Sequence, residues 1–456
     1  MLPALAAVVL AASAALNGLT ACAPSTMVGG QVAAVARPDS ASLDATTRAE
    51  TRQRVDALTA LVTSRLRAVQ RGDRAAWLAP LAPEVSQAER AAQGRIFDRM
   101  TAMDVSDLRV VSLDVRPAVA AGTTPPPATA AQGAGDGAWR ARLTGTYRLD
   151  GFDSAPRTFA ADLIVGGAPD SRSGADGTSH AATTVIRSWL PADRPQPWDL
   201  EGLQVQRTPT GLVLVVGTAA DAADLSRRIA AAAERVALVW GRAEPAVWVA
   251  PGSDADAARL LGRGAEELTG VAAVTDGPLR TGERAGADRI VLVPQALAGL
   301  RSAGRDVVIT HELTHATVRA STTRAVPHWL AEGFAEFVAY RSIRLPEPEV
   351  VAPAIDVVRA RGLPAGLPAE ADFDPGARRL AAAYGLSLLA VRTLAERHGT
   401  PALVRLYRDA AGALPVPATL LGDAESTTDR SLDELGTDRA TLVGQWRGRI
   451  SALLGP

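Results

Sequence analysis

Between Leu43 and Leu78 apolar residues return every three or four positions, at Val55, Leu58, Leu61, Val62, Leu66 and Val69, which predicts an amphipathic helix. A shorter helix is expected over Gln87–Met103. The period then changes to two: Val111, Leu113 and Val115 alternate within 107–116, and Trp139, Ala141, Leu143, Tyr147 and Leu149 share one face of 138–150. Gly145 falls on that same face and leaves a gap that predicts a bulge. Further strands are expected at 157–165, 183–190 and 203–217, the last broken by a turn at Thr208–Gly211. Two stretches rich in Gly, Pro, Ala, Ser and Asp, at 118–137 and 166–181, interrupt this sheet as surface loops. From Ala220 the pattern becomes helices alternating with short strands. Asp221–Trp240 is a long helix, and strands are expected at Ala246–Ala250, Gly270–Val274 and Ile290–Pro294. Helices follow at 304–320, 327–341, 350–361, 376–398, 400–411 and 438–454.

The expected class is α+β, with an N-terminal domain of helices and antiparallel sheet over 44–217 and a mainly helical domain over 218–456. Two helices followed by an antiparallel meander resemble the cone-like fold of the nuclear-transport-factor-2 superfamily. The length of 456 residues suits more than one core. At 47% hydrophobic and 21% charged residues the chain is expected to be globular. Its net charge is −1, every basic side chain is arginine, and no basic patch interleaves with aromatics, which argues against nucleic acid as a partner.

Residues 1–21 carry no charged side chain, and the apolar run from Leu2 to Leu16 has the length of a signal-peptide core. It leads into Leu19-Thr20-Ala21-Cys22, which resembles the bacterial lipobox, although no positive n-region precedes it. The resemblance implies a lipoprotein signal peptide over 1–21, lipidation at Cys22, a tether over 22–43 and a membrane-anchored protein facing the extracytoplasmic side. Cys22 is the single cysteine, so no disulfide is expected within the folded part.

The chemistry concentrates in His311-Glu312-Leu313-Thr314-His315. On a helix, residues four apart differ by about 40° of rotation and one turn of rise. His311 and His315 therefore present two imidazoles to one metal ion. Glu312 lies about 100° round the helix, within reach of a water at that metal and suited to general-base work. Histidine is rare here, with five in the chain, so this spacing carries weight. Sixteen residues separate His315 from Glu332, which lies within Trp329-Leu330-Ala331-Glu332-Gly333-Phe334-Ala335-Glu336. Glu332 completes a His₂Glu set that leaves a fourth position open, as a catalytic zinc site requires. Glu336, one turn on, is placed to accept a hydrogen bond from a ligand histidine. A metzincin arrangement is excluded, because the positions it needs hold Val318 and Ser321.

Together these two motifs resemble the gluzincin clan, which includes the thermolysin-like enzymes and the membrane-alanyl aminopeptidases. The likeness extends over about residues 240–410 and is nearest to the peptidase-MA-like domains often carried by bacterial lipoproteins. It implies one zinc ion held by His311, His315 and Glu332, with Glu312 as general base and Glu336 supporting His311. It implies a peptide or protein substrate laid along an exposed edge strand, for which Asp288–Pro294 is the candidate. It also implies an oxyanion donor from later in the chain, for which Tyr384 is the first candidate and Tyr340 the second. His398, closing a helix before Gly399, is expected to be structural. Two other readings stay open: a zinc-binding but catalytically silent envelope lipoprotein, and a ligand-binding lipoprotein with an apolar pocket among the strands of 107–217.

Overall fold

The computed structural model describes residues 45–117, 138–167, 184–278, 282–374, 379–412 and 423–455. The expected signal peptide, the tether and Cys22 lie outside the described residues. Among those described, no helix is long and apolar enough to cross a membrane. The chain divides between Glu201 and Gly202 into two compact units.

The first unit begins with helices α1 (Ala45–Gln70), α2 (Arg74–Leu78) and α3 (Gln87–Ala102). Asp73 and Ser86 cap the second and third by accepting from Ala76 N and Glu89 N, so both starts are written in the local sequence. Strands β1 (Val105–Pro117), β2 (Trp139–Leu149), β3 (Arg157–Gly167) and β4 (Thr184–Ala192) then form an antiparallel sheet in chain order. The inward face of β2 is the expected one, with Ala141, Leu143, Tyr147 and Leu149 buried. At Gly145 a methyl group would lie 2.5 Å from the Phe159 ring, so the missing side chain is the space that ring fills. The bulge belongs to the neighbouring strand: Val110 pairs with Gly145 and Ser112 with Thr144, leaving Val111 between them. The extra residue explains why Val111, expected to face inward with Leu113, is 45% exposed.

The second unit holds a mixed sheet of β5 (Leu203–Thr208), β6 (Gly211–Val216), β7 (Ala246–Ala250), β8 (Ala273–Asp276) and β9 (Arg289–Leu292), in the order β5-β6-β7-β9-β8. The hairpin over 203–216 thus joins this sheet and not the first, because β6 pairs in parallel with β7. Its run Gly-Leu-Val-Leu-Val-Val is buried on both faces, as a strand inside a covered sheet is. Helix α4 (Ala219–Trp240) opens with a Thr218–Asp221 capping box and closes on Gly241 at φ 96°. Shorter helices are α5 (Asp254–Leu261) and α6 (Pro294–Gly299). The helical part continues through α7 (Ser302–Arg319), α8 (His328–Tyr340), α9 (Glu347–Val350), α10 (Ala352–Arg361), α11 (Leu380–His398), α12 (Thr400–Ala410), α13 (Ala424–Glu434) and α14 (Arg439–Leu454).

The strand order corrects the expected edge. Residues 289–292 lie inside the sheet, between β7 and β8, and Pro294 opens α6. Arg319 anchors Asp288 at 2.8 Å, holding the start of β9 inward. The strands at the two ends of the order are β5 and β8, and β8, which runs antiparallel to β9, is the one beside the expected edge.

Candidate metal centre

Helix α7 runs through the interior of its unit, with every residue from Val307 to Val318 buried. Polar residues on such a helix need partners, since burying an unpaired polar group costs on the order of 1–3 kcal/mol. Helix α8 is buried along its whole length. Gly333 is what lets it approach α11: a Cβ there would lie 2.5 Å from the Ser387 carbonyl oxygen. The glycine beside Glu332 thus brings the helix carrying Tyr384 close to the ligands.

His311, His315 and Glu332 converge. Their Nε2 atoms lie 2.9 Å apart. Glu332 Oε2 is 3.2 Å from each. Three donor atoms within 4.8 Å form a cluster able to hold a metal ion. Two imidazoles and a carboxylate, all pointing at one place, suit a borderline-soft divalent cation such as zinc. Glu336 Oε1 sits 3.0 Å from His311 Nδ1, at ion-pair distance but off the line of a good hydrogen bond. That carboxylate lies on the ring nitrogen opposite the ligand atom, where it turns Nε2 toward the cluster.

The electrostatics follow from burial among opposite charges. Burial disfavours a charged His311, but Glu332 and Glu336 overcome it and push its pKa up to about 10. Burial likewise works against an ionised Glu332, and His315 and His311 outweigh it and hold that carboxyl far below the usual range. A cation bound by the same atoms takes the place of the imidazole proton. Glu312 is the contrasting acid. Its pKa is raised by burial, against the pull of the two histidines. Its Oε2 accepts a hydrogen bond of 2.7 Å from Thr275, and its Oε1 is buried without a partner among the described residues.

Tyr384, on α11, is brought beside His311. Its ring meets that of His311 edge-on at 6.0 Å, and its hydroxyl is buried without a well-formed hydrogen bond. Burial and the charge of Glu332 raise its pKa well above the ordinary phenol value. Tyr340 sits elsewhere: eight residues past Glu332, roughly 12 Å along α8, it lines a cleft with Arg341, Arg392 and Arg449. His328 stays outside the cluster, with Nδ1 2.6 Å from Glu370 and its ring against Phe373. His398 ends α11 ahead of Gly399, as expected. Thr275 was not foreseen. A threonine in a four-residue strand offers no local signal of an acid 37 positions later.

No family model matches the chain, and no curated protein matches it. Among solved structures it is similar to a two-domain M1 zinc metallopeptidase, crystallised as a point mutant bound to L-arginine, at 15% identity and a TM-score of 0.30. The match covers 65% of this chain and spans 61% of the length of that protein.

Proposed function

We propose that this chain is a zinc-dependent hydrolase of peptide bonds, with the metal held by His311, His315 and Glu332. The observation that carries the reading is the convergence of those three donor atoms next to a buried carboxylate, Glu312, that is not itself in the cluster. Zinc bound there supplies Lewis acidity, polarising a carbonyl and acidifying a water. Glu312 takes a proton from water on its unpartnered Oε1 and returns it to the leaving amine. Tyr384, whose raised pKa keeps its hydroxyl protonated, donates a hydrogen bond to the oxygen on which negative charge develops. Glu336 fixes the His311 ring. The unpaired side of β8 offers an extended peptide backbone a place to pair.

We also propose that the protein acts outside the cytoplasm on a lipid anchor at Cys22, a reading supported by the charge-free apolar leader and the Leu-Thr-Ala-Cys sequence. One cavity among the described residues of the first unit, lined by Trp77, Phe159, Trp189 and Trp198 among others, has a volume of about 20 Å³, room for one water.

The test is metal content by mass spectrometry together with cleavage of a peptide library. The parent should hold one zinc and cleave. Glu312→Gln should hold one zinc and lose about 10³-fold or more in kcat. A zinc-loaded parent that cleaves no peptide defeats the peptidase reading.

A further inference from the structure

A carboxylate that accepts a proton from water must present one oxygen in a fixed direction, and a carboxylate on two rotatable carbons does not do so unaided. Glu312 is divided in this way. Oε2 is tied to the Thr275 hydroxyl at 2.7 Å, and Oε1 is left without a partner. Both residues are fully buried, so no solvent competes for the bond. The Thr275 hydroxyl is also 3.4 Å from the Glu312 main-chain oxygen, and the shorter distance assigns its proton to the side chain.

The identity of the residue matters to this arrangement. Thr275 stands in β8, where its main chain pairs with Ile290 of β9 and its neighbours Ala273 and Val274 are buried. A β-branched side chain in a strand has few χ1 choices, so the hydroxyl direction is set by the sheet. We infer that Thr275 is a positioning residue for Glu312, selecting Oε1 as the oxygen that meets water and locking it to the strand beside the substrate path. This rests on the hydrolytic reading given above. The strand on which a peptide would pair and the base that would act on it are then one mechanical unit, joined by a single hydrogen bond.

Three variants test it. Thr275→Val keeps shape and branching but removes the donor, Thr275→Ala removes donor and bulk, and Thr275→Ser keeps the donor. Each is assayed for zinc content, kcat and KM, and crystallised with zinc. The Val variant should retain one zinc and lose about 10- to 100-fold in kcat at unchanged KM. The Ser variant should stay within about threefold of the parent. The Glu312 carboxylate should leave its parental orientation in Val and keep it in Ser. If Val does not fold, Ala takes its place with the same expectations. Parental kcat in the variant lacking the donor, or equal losses in Ser and Val, overturns the inference. If the parent cleaves no peptide, the crystal structures decide alone. Glu312 displaced in Val or Ala but not in Ser upholds positioning while the peptidase reading fails; Glu312 unmoved in all three overturns positioning as well.

Discussion

Each unit buries charge at its centre, and the two do so by opposite means. In the first, the Arg65 guanidinium is wholly buried, and no carboxylate among the described residues pairs with it. It lies 3.9 Å from the Trp77 ring centre and 4.6 Å from that of Trp189, and donates from Nη2 to Gln93 Oε1 at 2.7 Å. Burial lowers its pKa to about 9, still charged at neutral pH. Two aromatic faces and one amide replace water, and nothing in that cluster is arranged to react. In the second unit, acids and imidazoles crowd within hydrogen-bonding distance, and Glu312 Oε1 is left without a partner among the described residues. In the first, Nε and Nη1 of the guanidinium have no hydrogen-bond partner among the described residues, and the faces of Trp77 and Trp189 stand in for one. In the second, the leftover group stands beside three converging donors that could hold a metal ion.

The sharpest way to break this contrast is to remove a ligand. Glu332→Ala should abolish zinc binding and hydrolysis together, because two imidazoles alone do not make a closed ligand set. The parent should gain thermal stability on adding zinc, by about 2.7 kcal/mol at a hundredfold excess over Kd. The variant should show no zinc-dependent shift in Tm. Differential scanning calorimetry with and without metal decides it, and a variant that still shifts places the ion elsewhere.

A second prediction separates the two clusters by pH. His311 titrates at about 10 in the folded apo protein against an ordinary value of 6.5. A raised pKa adds stability that is complete below the unfolded value and is lost as pH rises through the folded one. The metal-free protein should therefore lose stability between about pH 6.5 and 10, while the zinc form, whose imidazole carries no such proton, is flatter. Zinc uptake at pH 7 should release a proton, measurable by calorimetry in buffers of different ionisation enthalpy. Proton-neutral uptake would mean that His311 is not held protonated by Glu332 and Glu336.

What was legible in the sequence follows the range of each interaction. His311, Glu312 and His315 share one helix, and Glu332 and Glu336 share another, so local geometry places them. Tyr384 was found through family resemblance, and its place beside His311 depends on Gly333 and the Ser387 main chain. The allegiance of the 203–216 hairpin was missed: β5 alternates as an antiparallel strand does, and only the continuous apolar run of β6 points to a sheet covered on both faces. The edge strand was not legible: Ala273–Asp276 and Arg289–Leu292 are both short and apolar, and only pairing in space decides which lies outside. Thr275 and Arg65 escaped for the same reason. Each acts across dozens of residues, and an arginine on a helix surface otherwise reads as facing water.

The smallest expected effect lies in the Arg65 cluster. Arg65→Met keeps length and removes the charge. It gives up stacking worth about 1–2 kcal/mol and leaves Gln93 Oε1 unpartnered, but it also removes the desolvation of a cation. These oppose one another, so the net change should fall within about 1–2 kcal/mol of the parent in either direction. Arg65→Lys keeps the charge and loses the planar face that matches two indoles, so it should be the less stable of the two. Neither should change zinc content or hydrolysis. Urea unfolding of both variants orders them: a Lys variant as stable as the parent would show that charge alone suffices there. The stacking on Trp77 and Trp189 would then be a consequence of packing and not its cause.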